Sequence, residues 1–252
     1  MIITHRPGQP VAIVTGAAAG IGRAIVDGFL ASNIRVAAVD RDIDVVKSVF
    51  QDHIAAKQLL PVKADLTEPG CWNTIIAACL EAFAGLHILV NNAGMILRKE
   101  ILATDEAQWD CQIDVNLKAA FFLSKLAAAE MKNTGWGRII NITSQASHTG
   151  GAVDCPIYAI SKGGVNTMTR SFAKAFGRFG MTANAVAPGI VLTDMIEKTI
   201  SAEQIGALVE AIPIGRATQA HEISTLVSYL ASDASGSING HILDINGGMV
   251  MR

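Results

Sequence analysis

Tyr158 and Lys162 stand four positions apart in the segment YAISK, inside a stretch patterned as a helix, so both project from one face about one turn apart. A phenol titrates near about pH 10 in water, too high to accept a proton efficiently at neutrality. An ammonium beside it favours the phenolate and moves that value toward the working range. The same spacing also arises in surface packing pairs, so the neighbours matter. Ser144, at the end of the strand-like run RIINIT, is placed to donate to a substrate carbonyl and hold it against the phenol. Asn116, in DVNLKAAFF, lies in a long apolar helix where a buried amide needs partners, and it could anchor a water linked to Lys162.

A second cluster begins where the first apolar run ends. VAIVT leads through Thr15, Gly16, Ala17, Ala18, Ala19, Gly20, Ile21 and Gly22 into the helix-like RAIVDGFLAS. Glycines allow close backbone approach, and a helix N-terminus offers unpaired N–H groups and a favourable dipole, which together suit a pyrophosphate. The spacing is G-x-x-x-G-x-G instead of the commoner G-x-G-x-x-G, and a tight turn packed through its glycines has the same outline. The second strand-like run ends at Asp40, 18 positions after Gly22, where a carboxylate would accept hydrogen bonds from an adenosine ribose. That carboxylate repels a 2′-phosphate and favours NAD over NADP, partly offset by Arg41, although an aspartate also serves as a simple turn cap. Asp65 with Leu66, and Asn91, Asn92, Ala93 and Gly94, occupy two further strand ends on the edge where open α/β sheets bind ligands. The first pair is placed for an adenine. The second offers small residues for backbone approach and an asparagine to brace neighbouring loops. Each also reads as an ordinary loop terminator.

The elements that would position these residues appear as an alternation. Apolar runs at 11–15, 35–39, 60–64, 87–91, 138–143, 181–187 and 242–245 are nearly continuous, as strands covered on both faces are. Helix-patterned segments at 20–32, 43–57, 69–84, 106–131, 157–178 and 219–232 separate them. This predicts a single α/β domain over 1–252 with a doubly wound parallel sheet and helices on both faces. The segment 190–213 breaks the alternation after Pro188-Gly189 and is the candidate substrate lid. Lys+Arg 20 against Asp+Glu 22 leaves a formal charge of -2, which argues against nucleic acid or an anionic membrane surface as a partner. The apolar runs are far too short for a membrane span, and MIITHRPGQP lacks the apolar core of a signal peptide. Cys71, Cys79, Cys111 and Cys155 are scattered, as reduced thiols of a cytoplasmic protein are. His5, His53, His87, His148, His221 and His241 show no metal-binding spacing, so no metal is expected.

Taken together, TGAAAGIG, NNAG, the asparagine of VNL, the strand-terminal serine, YxxxK, the Pro-Gly after the sixth strand and the closing INGHILDINGG resemble the short-chain dehydrogenase/reductase family over essentially the whole chain. The resemblance implies a Rossmann-type sheet of seven strands and a tetrad of Asn116, Ser144, Tyr158 and Lys162. It also implies hydride transfer between a nicotinamide and a carbinol carbon. Lys162 would bind the nicotinamide ribose, Thr193 would contact the carboxamide, and Pro188 and Gly189 would lie along the cofactor. A homotetramer built through the helices at 106–131 and 157–178 is implied as well. Ser144 and Tyr158 are separated by one residue more than is usual in the family, which puts the loop SHTGGAVDCP in question more than the chemistry.

A substrate is read from fewer residues. NNAGMILRKEILATDEAQWD resembles family members acting on aldonic acids and related sugars, and Arg98 stands where a guanidinium could grip a carboxylate or diol, unless it is merely exposed. His148 follows Ser144 in the same loop, as a substrate contact or a solvated histidine. The expected reaction is NAD-dependent oxidation or reduction of a small alcohol or ketone, a sugar, polyol or sugar acid. A 3-ketoacyl thioester reductase and a non-catalytic NAD sensor are the alternatives.

Overall fold

Among the described residues every strand of the sheet runs the same way, and this places the polar strand ends on one edge. In the computed structural model, which describes residues 8–192 and 201–252, the strands are β1 (Val11–Thr15), β2 (Arg35–Asp40), β3 (Leu59–Lys63), β4 (Ile88–Asn91), β5 (Gly137–Ile142), β6 (Met181–Pro188) and β7 (Ile242–Ile245). They pair in the order β3-β2-β1-β4-β5-β6-β7, all parallel. Parallel neighbours need crossover segments, and here these are helices that bury both faces. Consecutive residues of β1 therefore enter opposite cores. Ala12 and Val14 pack with Ile25, Val26 and Phe29 of α1 (Gly20–Ala31) and with Ile223 and Val227 of α10 (Ala220–Leu230). Val11 and Ile13 pack with Ile75 of α4 (Cys71–Phe83), Leu123 of α6 (Ala119–Thr134) and Met168 of α8 (Pro156–Phe176).

The chain leaves β1 toward β2 and β3 and then returns to the other side of β1 as β4, so the connections diverge between the ends of β1 and β4. A crevice opens at such a switch point. It is braced from below by amides. Asn91 Nδ2 donates to Ser124 Oγ at 2.9 Å and to Asn141 Oδ1 at 2.8 Å, and Asn141 Nδ2 donates to Thr169 Oγ1 at 2.8 Å, which links β4, β5, α6 and α8 through buried hydrogen bonds.

Three local departures from the expected pattern bear on the site. The segment 43–57 divides into α2 (Ile43–Val49) and α3 (Gln51–Ala55), because Phe50 turns out of helical geometry at φ -111 and ψ 25. The segment 106–131 is α5 (Glu106–Ile113) joined to α6 through a π-helical turn at Asp114–Lys118. The wider turn shifts the helical register and holds Asn116 buried. The loop after β5 folds into the short α7 (Ala146–Thr149) and then reverses through Gly150 and Gly151 at φ 86 and 78, a left-handed pair that accommodates the extra residue before Tyr158. Within the expected lid, 193–200 lies outside the described residues, and α9 (Ala202–Glu210) begins after a Ser201 cap that accepts from Gln204 N.

Candidate active site

The glycine-rich turn is shaped by contacts that leave no room for side chains. A Cβ on Gly22 would overlap the carbonyl oxygen of Gly16, so the start of α1 lies directly against the end of β1. Asn92 Nδ2 donates to the carbonyls of Thr15 at 2.9 Å and Gly16 at 3.1 Å, and Thr15 Oγ1 accepts from the backbone N–H groups of Asn92 and Ala93, both at 3.1 Å. Asn92 thus acts as the expected loop brace. Asp40 reaches the same turn: Oδ2 accepts from Ala18 N at 2.9 Å and Oδ1 from Asp42 N at 3.0 Å.

Above this turn lies a cleft of about 380 Å³ lined by Gly16, Gly20, Ile21, Asp40, Asn92, Gly94, Ser144, Tyr158, Lys162, Pro188 and Gly189 among others. Asp65 and Leu66 line an adjoining recess of about 160 Å³ that shares Gly16, Asp40 and Gly94 with the cleft. The Asp65 carboxyl lies below the ordinary carboxylate range because the backbone and hydroxyl of Thr67 both donate to it. Of the described residues expected beside a cofactor, Gly22 and Asn91 line neither the cleft nor the recess; Gly22 packs against Gly16, and Asn91 turns away. Its side chain turns into the sheet's underside network and is 6% exposed, so its amide braces the site from below. Thr193 lies outside the described residues.

Tyr158 and Lys162 do rise from one face of α8, with the ammonium 5.7 Å from the phenol ring centre. Lys162 Nζ donates to the carbonyl of Ile142 at 2.8 Å, and the lysine is only 4% exposed. Burial lowers the Lys162 pKa to about 8, because an ammonium removed from water loses hydration. Burial also raises the Tyr158 phenol above its ordinary value, while the Ser144 side chain bonds the phenol and pulls the other way. This direction is opposite to the one expected from spacing, because desolvation is the largest influence on the phenol. Asn116 is held by protein partners in the loop after β4 and on α8. Its Oδ1 accepts from Met95 N at 2.8 Å, and its Nδ2 donates to Met95 O and to Ser161 Oγ, each at 3.0 Å. It does lie beside the lysine, since a Cβ on Gly94 would meet Lys162 Nζ at 3.3 Å and Asn116 Oδ1 at 3.4 Å.

Of the three residues expected on the substrate, Ser144 lines the cleft, whereas Arg98 and His148 do not. Arg98 Nη1 donates to Asp154 Oδ1 and Oδ2 at 3.0 and 2.9 Å and is absent from the cleft lining, so its charge is already compensated. His148 lies 3.4 Å from Asp244 Oδ1 on β7 and is likewise absent from that lining. Burial lowers the His148 pKa, with Arg252 acting in the same direction and Asp244 opposing. Residues missed by sequence reasoning include Ile96 and Val191, apolar walls of the cleft, and the Ile142 carbonyl that receives the lysine. The walls follow strand-end motifs closely enough to be found from position. A backbone carbonyl has no signal in residue type.

Among the described residues no cluster of His, Cys, Asp and Glu could hold a metal. A family model described as Enoyl-(Acyl carrier protein) reductase matches residues 16–250. The chain is 34% identical over 243 residues to the 3-oxoacyl-[acyl-carrier-protein] reductase FabG of Salmonella typhimurium, covering 96% of this chain and 97% of that protein. It is 31% identical to the 2-dehydro-3-deoxy-D-gluconate 5-dehydrogenase of Escherichia coli, covering 96% of each. Among solved structures, a protein from Beutenbergia cavernae assigned as an NAD(P) dependent gluconate 5-dehydrogenase, with NADP bound at low occupancy, superposes with a TM-score of 0.88 at 34% identity, covering 95% of this chain and 96% of that one.

The buried lysine carries a pH signature. Below about pH 8 the ammonium is charged in both folded and unfolded chains, so its desolvation penalty is fully present. As the pH rises from there toward the ordinary lysine value, the folded chain sheds the proton first and the penalty is relieved. Lys162→Met is expected to raise the melting temperature of the cofactor-free protein at pH 7, on the order of 5 °C. The gain should shrink between pH 8 and 10. Thermal melts across this range check it, and a pH-independent or negative shift would contradict the burial.

Proposed function

The chain belongs to the short-chain dehydrogenase/reductase family of oxidoreductases, and from that premise we propose that it moves a hydride between NAD(H) and a small polyhydroxylated alcohol or its ketone, a sugar, polyol or sugar acid. The observation that carries this reading is Tyr158, lining one cleft with Ser144 and one turn from the buried Lys162, above a floor made by the glycine-rich turn.

A bound nicotinamide would supply the hydride donor or acceptor; the chain supplies position, a proton and polarisation. The backbone of Gly16, Gly20, Ile21 and Gly22 receives the pyrophosphate at the N-terminus of α1, and the absence of side chains there fits close approach. Asp40 takes the adenosine ribose, Asp65 and Leu66 the adenine recess, and Gly94, Pro188 and Gly189 flank the nicotinamide. Thr193 completes that end. Lys162 holds the nicotinamide ribose, and Asn116 sets the loop at Met95 that faces it. In oxidation Ser144 holds the substrate hydroxyl and Tyr158, as phenolate, removes its proton while the carbinol carbon gives up hydride; reduction returns both.

The sugar reading draws on the gluconate relatives. The acyl thioester alternative draws on the resemblance to FabG and on the family model's description. Two features favour the former. Lys162 is the one basic residue lining the cleft among the described residues, and it is held against a carbonyl. The net charge of -2 also offers little to an acidic carrier. Trp109 and Phe121 on α5 and α6 and Ile160 on α8 are exposed apolar residues, which supports assembly as a homotetramer through these helices. No helix among the described residues is long and apolar enough to cross a membrane, and we place the enzyme in the cytoplasm.

Tyr158→Phe should cut turnover by at least about a hundredfold while leaving NADH binding, read by fluorescence titration, nearly intact. Substantial residual turnover would remove Tyr158 from the acid/base role. Asp40 should also make NAD(H) the better cofactor by kcat/KM on a panel of sugar acids, polyols and acetoacetyl thioesters, with Asp40→Ala narrowing the gap. Equal use of NADP(H) by the parent enzyme, or its preference for thioesters, would count against the cofactor and substrate readings respectively.

A further inference from the structure

Arg98 and Asp154 lie 56 positions apart in sequence, yet they form a two-pronged ion pair at 2.9 and 3.0 Å, and Lys99 N donates to the Asp154 carbonyl at 2.7 Å. Three hydrogen bonds therefore clamp the loop after β4 to the loop before α8. The loop after β4 is anchored a second time three residues earlier, where Asn116 bonds both the N–H and the carbonyl of Met95. Ile96, a wall of the cleft, hangs between these two anchors. The other loop runs directly into the helix that carries the acid/base: Asp154 precedes Cys155, whose carbonyl accepts from Ala159 N at 3.2 Å in the first turn of α8. The circuit closes through Ser161 Oγ, which donates to the carbonyl of Tyr158 at 2.7 Å and accepts from Asn116 Nδ2 at 3.0 Å. Ile96 and Tyr158 thus sit on opposite sides of one ring of contacts, and the Arg98–Asp154 pair is its outer link.

We propose that Arg98 and Asp154 are a positioning pair that sets the distance between the Ile96 wall and Tyr158, and so governs how tightly the substrate is held at the phenol. Neither residue touches the reacting atoms. Severing the link loosens the outer end of the loop while Asn116 still holds Met95, so substrate fit suffers more than proton transfer. The pair is partly shielded, with side chains 28% and 41% exposed, and the single nitrogen Nη1 of Arg98 bridges both carboxylate oxygens. The Asp154 carboxyl lies below the ordinary carboxylate range, first because Arg98 donates to it, which keeps the link charged at neutral pH. This inference rests on Tyr158 as the acid/base.

The test is a double-mutant cycle on the intact enzyme, run with whichever alcohol it oxidises fastest. Arg98→Ala and Asp154→Ala should each raise KM about tenfold with kcat reduced far less, and the double variant should be no worse than either single change. NADH affinity should be unchanged. Exchanging the two residues, Arg98→Asp with Asp154→Arg, should recover more than either half alone. Asp154→Asn keeps the side-chain shape and stands in should the alanine variants fail to fold. Additive losses, an unchanged KM in the single variants, or a rise in KM confined to acidic substrates and to Arg98→Ala would overturn the proposal; the last would make Arg98 a direct anchor. Failure of the acid/base reading would show separately, as turnover in Tyr158→Phe.

Discussion

The ammonium of Lys162 is held 2.8 Å from the Ile142 carbonyl, and the hydroxyl of Thr143 donates to the Lys162 carbonyl at 3.0 Å. These two contacts join the last residues of β5 to the second turn of α8 and set the height of that helix above the strand ends. Tyr158 lies one turn earlier on the helix, Ser144 two residues past the end of the strand at Ile142, and Ser161 meets Asn116 from the same helix at 3.0 Å. The groups with chemical character are therefore placed by one buried cation and a carbonyl. An ammonium in that position opposes folding, and the continuous apolar packing on both faces of a parallel sheet offsets it.

Several polar residues around the cleft serve architecture and chemistry together. Asp40 ties the glycine turn to the end of β2 through Ala18 and Asp42 while presenting its carboxylate to the cleft. Asn92 braces β1 against β4. These hydrogen bonds are made within the protein itself and tie the floor of the cleft to the ends of β1, β2 and β4. The walls depend on two further links, the buried Asn116 to Met95 and the partly exposed Arg98 to Asp154.

The sheet was legible because strands buried on both faces must be nearly continuous in apolar residues, and VAIVT, RVAAV and RIINIT are. The glycine turn and the Tyr158–Lys162 pair were legible because local spacing sets their geometry. What escaped depends on contacts between distant segments. Nothing near Arg98 in sequence announces Asp154, and nothing near His148 announces Asp244. The π-helical turn at Asp114–Lys118 changes a backbone register that hydrophobic periodicity does not encode. The direction of the Tyr158 shift also escaped, because spacing reveals a neighbouring charge but not the water excluded from around it.

The proposed proton transfer would depend on a phenol that burial makes reluctant to ionise and that a positive charge brought beside it would favour as the phenolate. The chain has two tyrosines, Tyr158 and the exposed Tyr229, so Tyr229→Phe leaves tyrosinate absorbance reporting on Tyr158 alone. Titrated by absorbance without cofactor, Tyr158 should ionise above the ordinary phenol value. With oxidised NAD bound it should ionise at lower pH, and the acid limb of kcat/KM for alcohol oxidation should fall with that same transition. A titration at the ordinary value, or one that NAD leaves unmoved while activity follows another group, would contradict the assignment of Tyr158 as the acid/base.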